Sequence, residues 1–564
     1  MRPFVFLIVV IFSCDVAPAE GRVVRTSADW DRVDAVAQQI DAQFDKLWQT
    51  EGIVPAPAAD DAAILRRLWL DLAGRIPRTS DVRDFVDDSQ ADKRRRLIDQ
   101  LIESPLFVVH QTNVWRRMLL PEADADREQQ LDTAGFEAWF RDRLRERRNY
   151  AEIVRELLTF QDTGQSNMNA QRVDVEGPVS RIPTPVAFFQ AKKRMPENMA
   201  AAVSRLFLGV RLECAQCHDH PFNGWKRERF WELAAFFNEA QAPNMTADGT
   251  APRVATVAKH LKGTAPTIQI PETKTVVTAA FLDGSQPDFS EKEASLSELE
   301  RMPRAKLAQW IISAQNPFFA KAAVNRLWSA YFGVGLVEPA DDFSVNNPAS
   351  HPAVLDLLAE TFVRENYDVR FMTRVILSTR AYQMTSRRTD PSQDHPRSYA
   401  RMTIRGLTPA QLFDSLAQSI GYQQPFDPDR NPDEVDPVRR EFLETFVNTD
   451  DSSVDRPTSL LHVLTLMNGP PLNGNAGLPT QPGMAAPRTR LIIRTADAVI
   501  DAPFLSDAER IEALFLATLS RAPRTEESER SLKHLKAAST GNPQRPLDDL
   551  LWALLNSAEF MTNH

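Results

Sequence analysis

Five consecutive residues of this 564-residue chain carry its clearest chemistry: Cys214-Ala215-Gln216-Cys217-His218. Two thiols three positions apart, followed at once by an imidazole, form the attachment pattern of a c-type haem. In that reading Cys214 and Cys217 form thioethers to the porphyrin vinyl groups and His218 ligates the iron. A porphyrin anchored in this way suits electron transfer, its potential set by the sixth ligand and by burial. Two other readings use the same residues. The thiols could close a local disulfide or work as a redox-active dithiol. Alternatively, Cys214, Cys217, His218 and His220 could hold zinc, although tetrahedral closure of so short a segment is strained. His220 also bears on the haem reading, because imidazoles this close in sequence do not easily reach opposite faces of one porphyrin. Met195, Met199, Met245, His260 and His351 are candidates for the sixth position, and nothing in the sequence ranks them.

A second constellation runs from Asp341 through Asp342, Phe343, Ser344, Val345, Asn346, Asn347, Pro348, Ala349 and Ser350 to His351. Adjacent carboxylates, amides and a histidine could bind a cation or a sugar, or act as acid and base. The same residue types serve as helix caps and turns. Ser350 or His351 could cap a helix opened by Pro352, and Asp342 could cap the turn before it. Hydrolysis of a glycan needs two carboxylates about 5 to 10 Å apart, a separation that spacing in sequence does not fix. No GxSxG, HExxH, P-loop or dinucleotide fingerprint is present, which removes the motif support for the common enzyme classes.

The redox reading needs an oxidising compartment, and the first residues supply one. Arg2 precedes an apolar run from Phe4 to Phe12, and Ala17-Pro18-Ala19 closes it as a small-x-small cleavage pattern. The run is well short of the roughly 20 residues that span a bilayer, so it reads as a signal peptide over 1–19. The third cysteine, Cys14, lies inside this leader, where lipidation is the alternative to plain cleavage. The mature chain is therefore expected to be periplasmic or extracellular, with no transmembrane segment. Its net charge of −10 makes it a poor nucleic-acid binder, and the arginine-rich runs at 93–96 and 141–148 read as solvated helix faces.

The elements that must position these residues are mainly helical. Proline outnumbers glycine by 39 to 20, which suits short helices punctuated by prolines. Asp60 and Asp61 start a helix whose face carries Ile64, Leu65, Leu68, Trp69 and Leu72, and Gly74 and Pro77 end it. Similar stripes occur at Leu97–Ile102, Phe136–Leu144, Lys306–Ala314, Ala322–Phe332, Val354–Val363, Phe371–Leu377, Ile511–Leu519 and Leu547–Phe560. The spacing also predicts one helix over Met199–Glu213, with the cysteine motif at its C-terminal end. Thr267–Ile270 and Thr275–Val277, flanking Pro271-Glu272-Thr273-Lys274, read as a small hairpin. Segments 386–395, 425–437 and 469–487 read as loops. The expected organisation is a helical domain over 24–240, a β-leaning insert over 241–300 and a second helical domain over 301–564, each helical part with its own core.

Particular stretches resemble a known family. Arg67-Leu68-Trp69-Leu70-Asp71-Leu72-Ala73-Gly74-Arg75-Ile76-Pro77 looks like the opening of the planctomycete cytochrome-associated domain of unknown function 1549. Arg205 through Val210 and on to Cys214–Phe222 does as well. Ala323–Trp328, Gly335–Pro339, Asp341–Phe343, Ser350–Pro352 and Leu550–Ser557 resemble its companion, domain of unknown function 1553. The resemblance brings no assigned activity. Relatives often carry a further cytochrome domain, which leaves the motif at Cys214 as the haem candidate of this chain. Together these readings make the protein an exported, single-haem electron carrier with an unidentified redox partner. The alternative is a non-haem binding or scaffold protein of an exported polysaccharide-degrading system, with the cysteine loop as a zinc or disulfide staple.

Overall fold

Asp60 stands extended ahead of helix Asp61–Ala73, and its carboxylate accepts the Ala63 amide at 2.8 Å. Gly74, in the left-handed region at φ 72°, closes the same helix. These are the start and stop signals that the sequence displays there. The structure, a computed structural model, describes residues 27–125, 131–161, 182–221, 223–240, 265–289, 300, 302–427, 429–445, 494–537 and 545–564. The leader at 1–19, with Cys14, lies outside them, as do Met245 and His260 and the predicted loop at 469–487.

The architecture is mainly α. The predicted apolar stripes fall on helices Lys93–Ile102, Thr133–Arg145, Pro303–Ile311, Phe319–Phe332, Pro352–Arg364, Val369–Ser378, Asp507–Leu519 and Arg545–Leu555. The hairpin forms as strands Thr267–Gln269 and Val276–Thr278, antiparallel, with Ile268 opposite Val277. A second two-stranded pair, Arg405–Gly406 with Thr562–Asn563, joins distant parts of the chain. No helix among the described residues is long and apolar enough to cross a membrane.

Four stretches differ from the expectation. Met199–Glu213 is not one helix. An α-helix, Pro196–Val203, widens into a π-helical turn at Ser204–Leu208, and Gly209 at φ 67° ends it. The C-terminal helix ends at Leu555, where the Ser557 hydroxyl and the Asn556 side-chain amide donate to the carbonyls of Leu554 and Trp552 (2.7 and 2.8 Å). The prolines of 386–395 and 425–437 start structure as well as break it. Pro391 opens a 3-10 turn, Pro391–Gln393, and Pro432 opens helix Pro432–Val435, because a proline at the first turn gives up no helical hydrogen bond.

The packing groups the chain differently from the two separately cored halves expected from sequence. One continuous set of buried apolar side chains runs from Trp30 to Met402 and takes in Leu516. Helix Ser27–Glu51 packs on Pro352–Arg364 and Val369–Ser378, and Phe44 stacks on Trp328 at 5.8 Å. A second core, from Leu407 to Phe560, recruits Leu70 and Ile76 from the N-terminal half. Between the two cores lies a buried polar network. Asp71 accepts from Tyr382 (2.8 Å), Arg405 (2.9 Å) and Asn563 (2.8 Å). Arg66 donates to the carbonyls of Thr518 (3.0 Å) and Phe560 (2.9 Å). Arg67 donates to those of Tyr382 and Met384.

Candidate functional site: the cysteine turn and the loop that holds it

After Gly209 the chain crosses Val210 and Arg211 and enters a single 3-10 turn, Glu213–Gln216. Three residues per turn set positions three apart above one another. Leu212 and Ala215, three apart, are both fully buried and anchor the turn. Cys214 and Cys217, also three apart, are exposed, and both are unpaired. The C-x-x-C spacing thus presents two thiols to solvent from one turn.

The next helix fixes the turn from its other side. The Gln216 carbonyl accepts from the Trp231 indole (3.0 Å) and the Arg227 guanidinium (3.2 Å). Asp219 accepts the Arg227 amide at the start of helix Arg227–Ala234 (3.0 Å) and pairs with Lys226 (2.6 Å). The Lys226 ammonium and the Arg227 amide hold the Asp219 carboxyl below its usual range. Arg227 also reaches the Pro271 carbonyl (3.0 Å), which ties the hairpin to the site.

The two histidines differ in what they present. His218 Nδ1 lies 2.7 Å from the Asp219 carbonyl oxygen. A carbonyl only accepts, so Nδ1 carries the proton and the lone pair is on Nε2. This is the arrangement of a metal-ligating imidazole, oriented by a bond from its other nitrogen. His220 Nδ1 instead accepts the Asn223 amide at 3.1 Å, so the neutral ring carries its proton on Nε2. Among the described residues no three His, Cys, Asp or Glu side chains converge as a metal-holding group.

The structure brings the second constellation to the segment that leads into the cysteine turn. The Phe343 amide donates to the Gly209 carbonyl at 2.8 Å. A Cβ at Gly209 would lie 2.5 Å from the Phe343 ring, so the close approach requires glycine. Asp341 Oδ1 accepts from Arg211 Nε and Nη2 (2.8 and 2.6 Å), and its Oδ2 is 4.0 Å from Arg205 Nε. Arg205 Nε is in turn 3.8 Å from Glu213, the residue before Cys214. Arg326 fixes the same stretch by donating to the Arg205 carbonyl (2.8 Å). Sequence reasoning passed over Arg205, Arg211 and Glu213, since no local signal pairs a residue with one 130 positions away.

The rest of that loop is turn and cap. Asn347 bonds to the Asp342 carbonyl (2.9 Å), and Ser350 to that of Leu336 (3.1 Å). His351 occupies the N-cap of helix Pro352–Arg364 but makes no side-chain cap bond. Its ring is 6% exposed, packed 4.7 Å from Phe44 and 5.3 Å from Tyr399, and burial pushes it down to about 4. Met199 is likewise wholly buried, whereas Met195 is partly exposed at the head of its helix. Elsewhere, a cavity of about 330 Å³ opens between Trp115, Tyr150 and Arg370; none of its lining residues belongs to 205–227.

The fold and site define a mainly helical protein whose N-terminal half displays a C-x-x-C-H turn and whose C-terminal half clamps it. Residues 39–242 match the family described as protein of unknown function DUF1549, and residues 303–434 the one described as protein of unknown function DUF1553. The chain belongs to the proteins that pair these two domains. Comparison with curated proteins and with solved structures gave no match.

Proposed function

We propose that the protein is an exported electron carrier with one c-type haem, which Cys214 and Cys217 would hold through their sulfurs and His218 Nε2 would ligate at the iron. The observation that carries this reading is the pairing of two exposed, unpaired thiols with an imidazole whose Nδ1 proton is committed to the Asp219 carbonyl. The donor set fits the group: one turn offers both sulfurs outward, and the adjacent ring keeps its Nε2 lone pair. Bound there, a haem would supply a one-electron couple. The chain's own residues orient the ring through Asp219, anchor the turn through Leu212 and Ala215, and tie it to helix Arg227–Ala234. The small-x-small leader supports export, where attachment machinery for such a cofactor operates.

Zinc is less well served by these residues. A set of Cys214, Cys217, His218 and His220 needs a lone pair from His220, whose Nδ1 is already taken by the Asn223 amide. Expression in a host with a haem-attachment system decides between the two. The expected product keeps its colour through acid-acetone extraction and denaturing electrophoresis. Cys217→Ser should remove most covalent haem and His218→Ala should shift the Soret band, while His220→Ala should change the spectrum little. A colourless product with one zinc per chain, lost as readily in His220→Ala as in His218→Ala, would overturn the haem assignment.

A further inference from the structure

We propose that the cavity between Trp115, Tyr150 and Arg370 is a binding site for an uncharged sugar ring. It is separate from the cysteine turn and does not rest on the haem reading. The cavity, about 330 Å³, lies where the two family regions meet. One face of helix Pro105–Leu119 forms its floor, where Phe107, Gln111 and Trp115 recur four positions apart. Its rim consists of two helix-to-helix turns, 146–149 from the first region and 365–368 from the second. The Tyr150 amide joins these turns by donating to the Tyr367 carbonyl at 3.1 Å. Such a volume stands at the lower end of small-molecule sites, about 300 to 1,000 Å³.

Three observations identify the ligand class. The first is unused hydrogen-bonding capacity at the floor. Gln111 is 5% exposed and Trp115 3%, yet neither the Gln111 carboxamide nor the Trp115 indole N–H has a hydrogen-bond partner among the described residues. A buried polar group without a partner costs stability, so these two point to a partner that the chain itself does not supply. A carboxamide offers a donor and an acceptor together, which is what a hydroxyl needs. The second is charge. Arg147 and Arg370 share Glu103, and Arg148 pairs with Glu146 at 3.1 Å. Among the lining carboxylates, Glu365 pairs with Arg32 at 2.6 Å, and Glu152 and Asp368 accept the backbone amides that open their helices. An ionic ligand would have to break pairs already made, and a neutral one need not. The third is shape. Phe140 and Tyr150 tilt by 31° and 39° from Trp115. Walls at such angles cup a puckered ring, whose C–H faces pack on aromatic carbons, and leave no parallel slot for a flat heteroaromatic base.

The test is saturation-transfer difference NMR on the full chain with D-glucose, D-galactose, D-mannose, L-fucose and D-xylose at up to about 10 mM, a range that reports millimolar binding. Transfer to the C–H protons of at least one of them is expected. Gln111→Leu should weaken that binding about tenfold, since it removes the donor and the acceptor together. The same variant should melt at or above the parental Tm, because leucine leaves no buried amide unpaired. Trp115→Phe keeps a ring in the wall and removes the N–H, and should weaken binding several-fold. It carries the test by itself if position 111 does not tolerate leucine. No transfer to any of the five sugars would mean that the cavity holds only water and would overturn the assignment. Transfer left unchanged by both variants, or transfer to adenine alone, would overturn it as well.

Discussion

At the scale of single residues, the histidines divide by what holds them. His218 lies in the open with its tautomer set by a carbonyl, and His351 is walled in by aromatic rings. That burial has a pH consequence. The folded-state value of His351, about 4, lies below the ordinary 6.5, so the unfolded chain takes up this proton first as pH falls. Stability from a neutral His351 is complete above about pH 6.5 and is lost progressively toward pH 4. The loss reaches about 3 kcal/mol, at 1.36 kcal/mol per unit of pH. His351→Phe keeps a ring between Phe44 and Tyr399 and should flatten the fall in Tm across that interval. His110 and His564, also pushed by burial to about 4, retain the remainder of the slope. An acid slope identical to that of the parent would place the proton uptake elsewhere. At this scale the motif was legible because five adjacent residues spell it. The tautomers were not, since each is set by one atom, the Asp219 carbonyl or the Asn223 amide.

At the scale of elements, sequence reading succeeded where a signal is local. Asp60 and Gly74 mark the ends of one helix, and the Thr- and Val-rich runs mark the hairpin. It failed at Met199–Glu213, where apolar spacing continued smoothly through a glycine that ends the helix. Nothing local announces that Gly209 meets Phe343, 134 positions later. Gly209→Ala tests that junction, since it imposes both a left-handed backbone on alanine and a contact with the Phe343 ring. A destabilisation of about 1 to 3 kcal/mol is expected from thermal melts. In a Phe343→Ala background the ring contact disappears, while the backbone cost of about 1 kcal/mol and the 3.3 Å approach to the Ala322 Cβ remain, so the loss should be smaller. Equal losses in both backgrounds would show that the ring does not meet position 209.

At the scale of the molecule, the two family regions share buried side chains, and the second core draws Leu70 and Ile76 from the N-terminal region. No periodicity reports such sharing, because each helix shows the same apolar stripe whichever neighbour covers it. A chain ending at residue 402 should therefore behave poorly. It would expose Leu70 and Ile76 and strip Arg66 of its carbonyl partners at Thr518 and Phe560. Buried cations without acceptors are among the costlier defects a fold can carry. We expect this truncation to bind a hydrophobic dye and to lack the cooperative melt of the full chain; melting at the parental Tm would refute the shared-core account. The buried bonds of Asp71 to Asn563 and of Arg66 to Phe560 give the same arrangement a meaning in time, since they join residues 492 and 494 positions apart. Translation reaches the later partners on the order of ten seconds or more after residue 402. Throughout that interval Arg66 and Asp71 of helix Asp61–Ala73 lack these partners, so the surroundings of an early helix are completed only by the last residues of the chain.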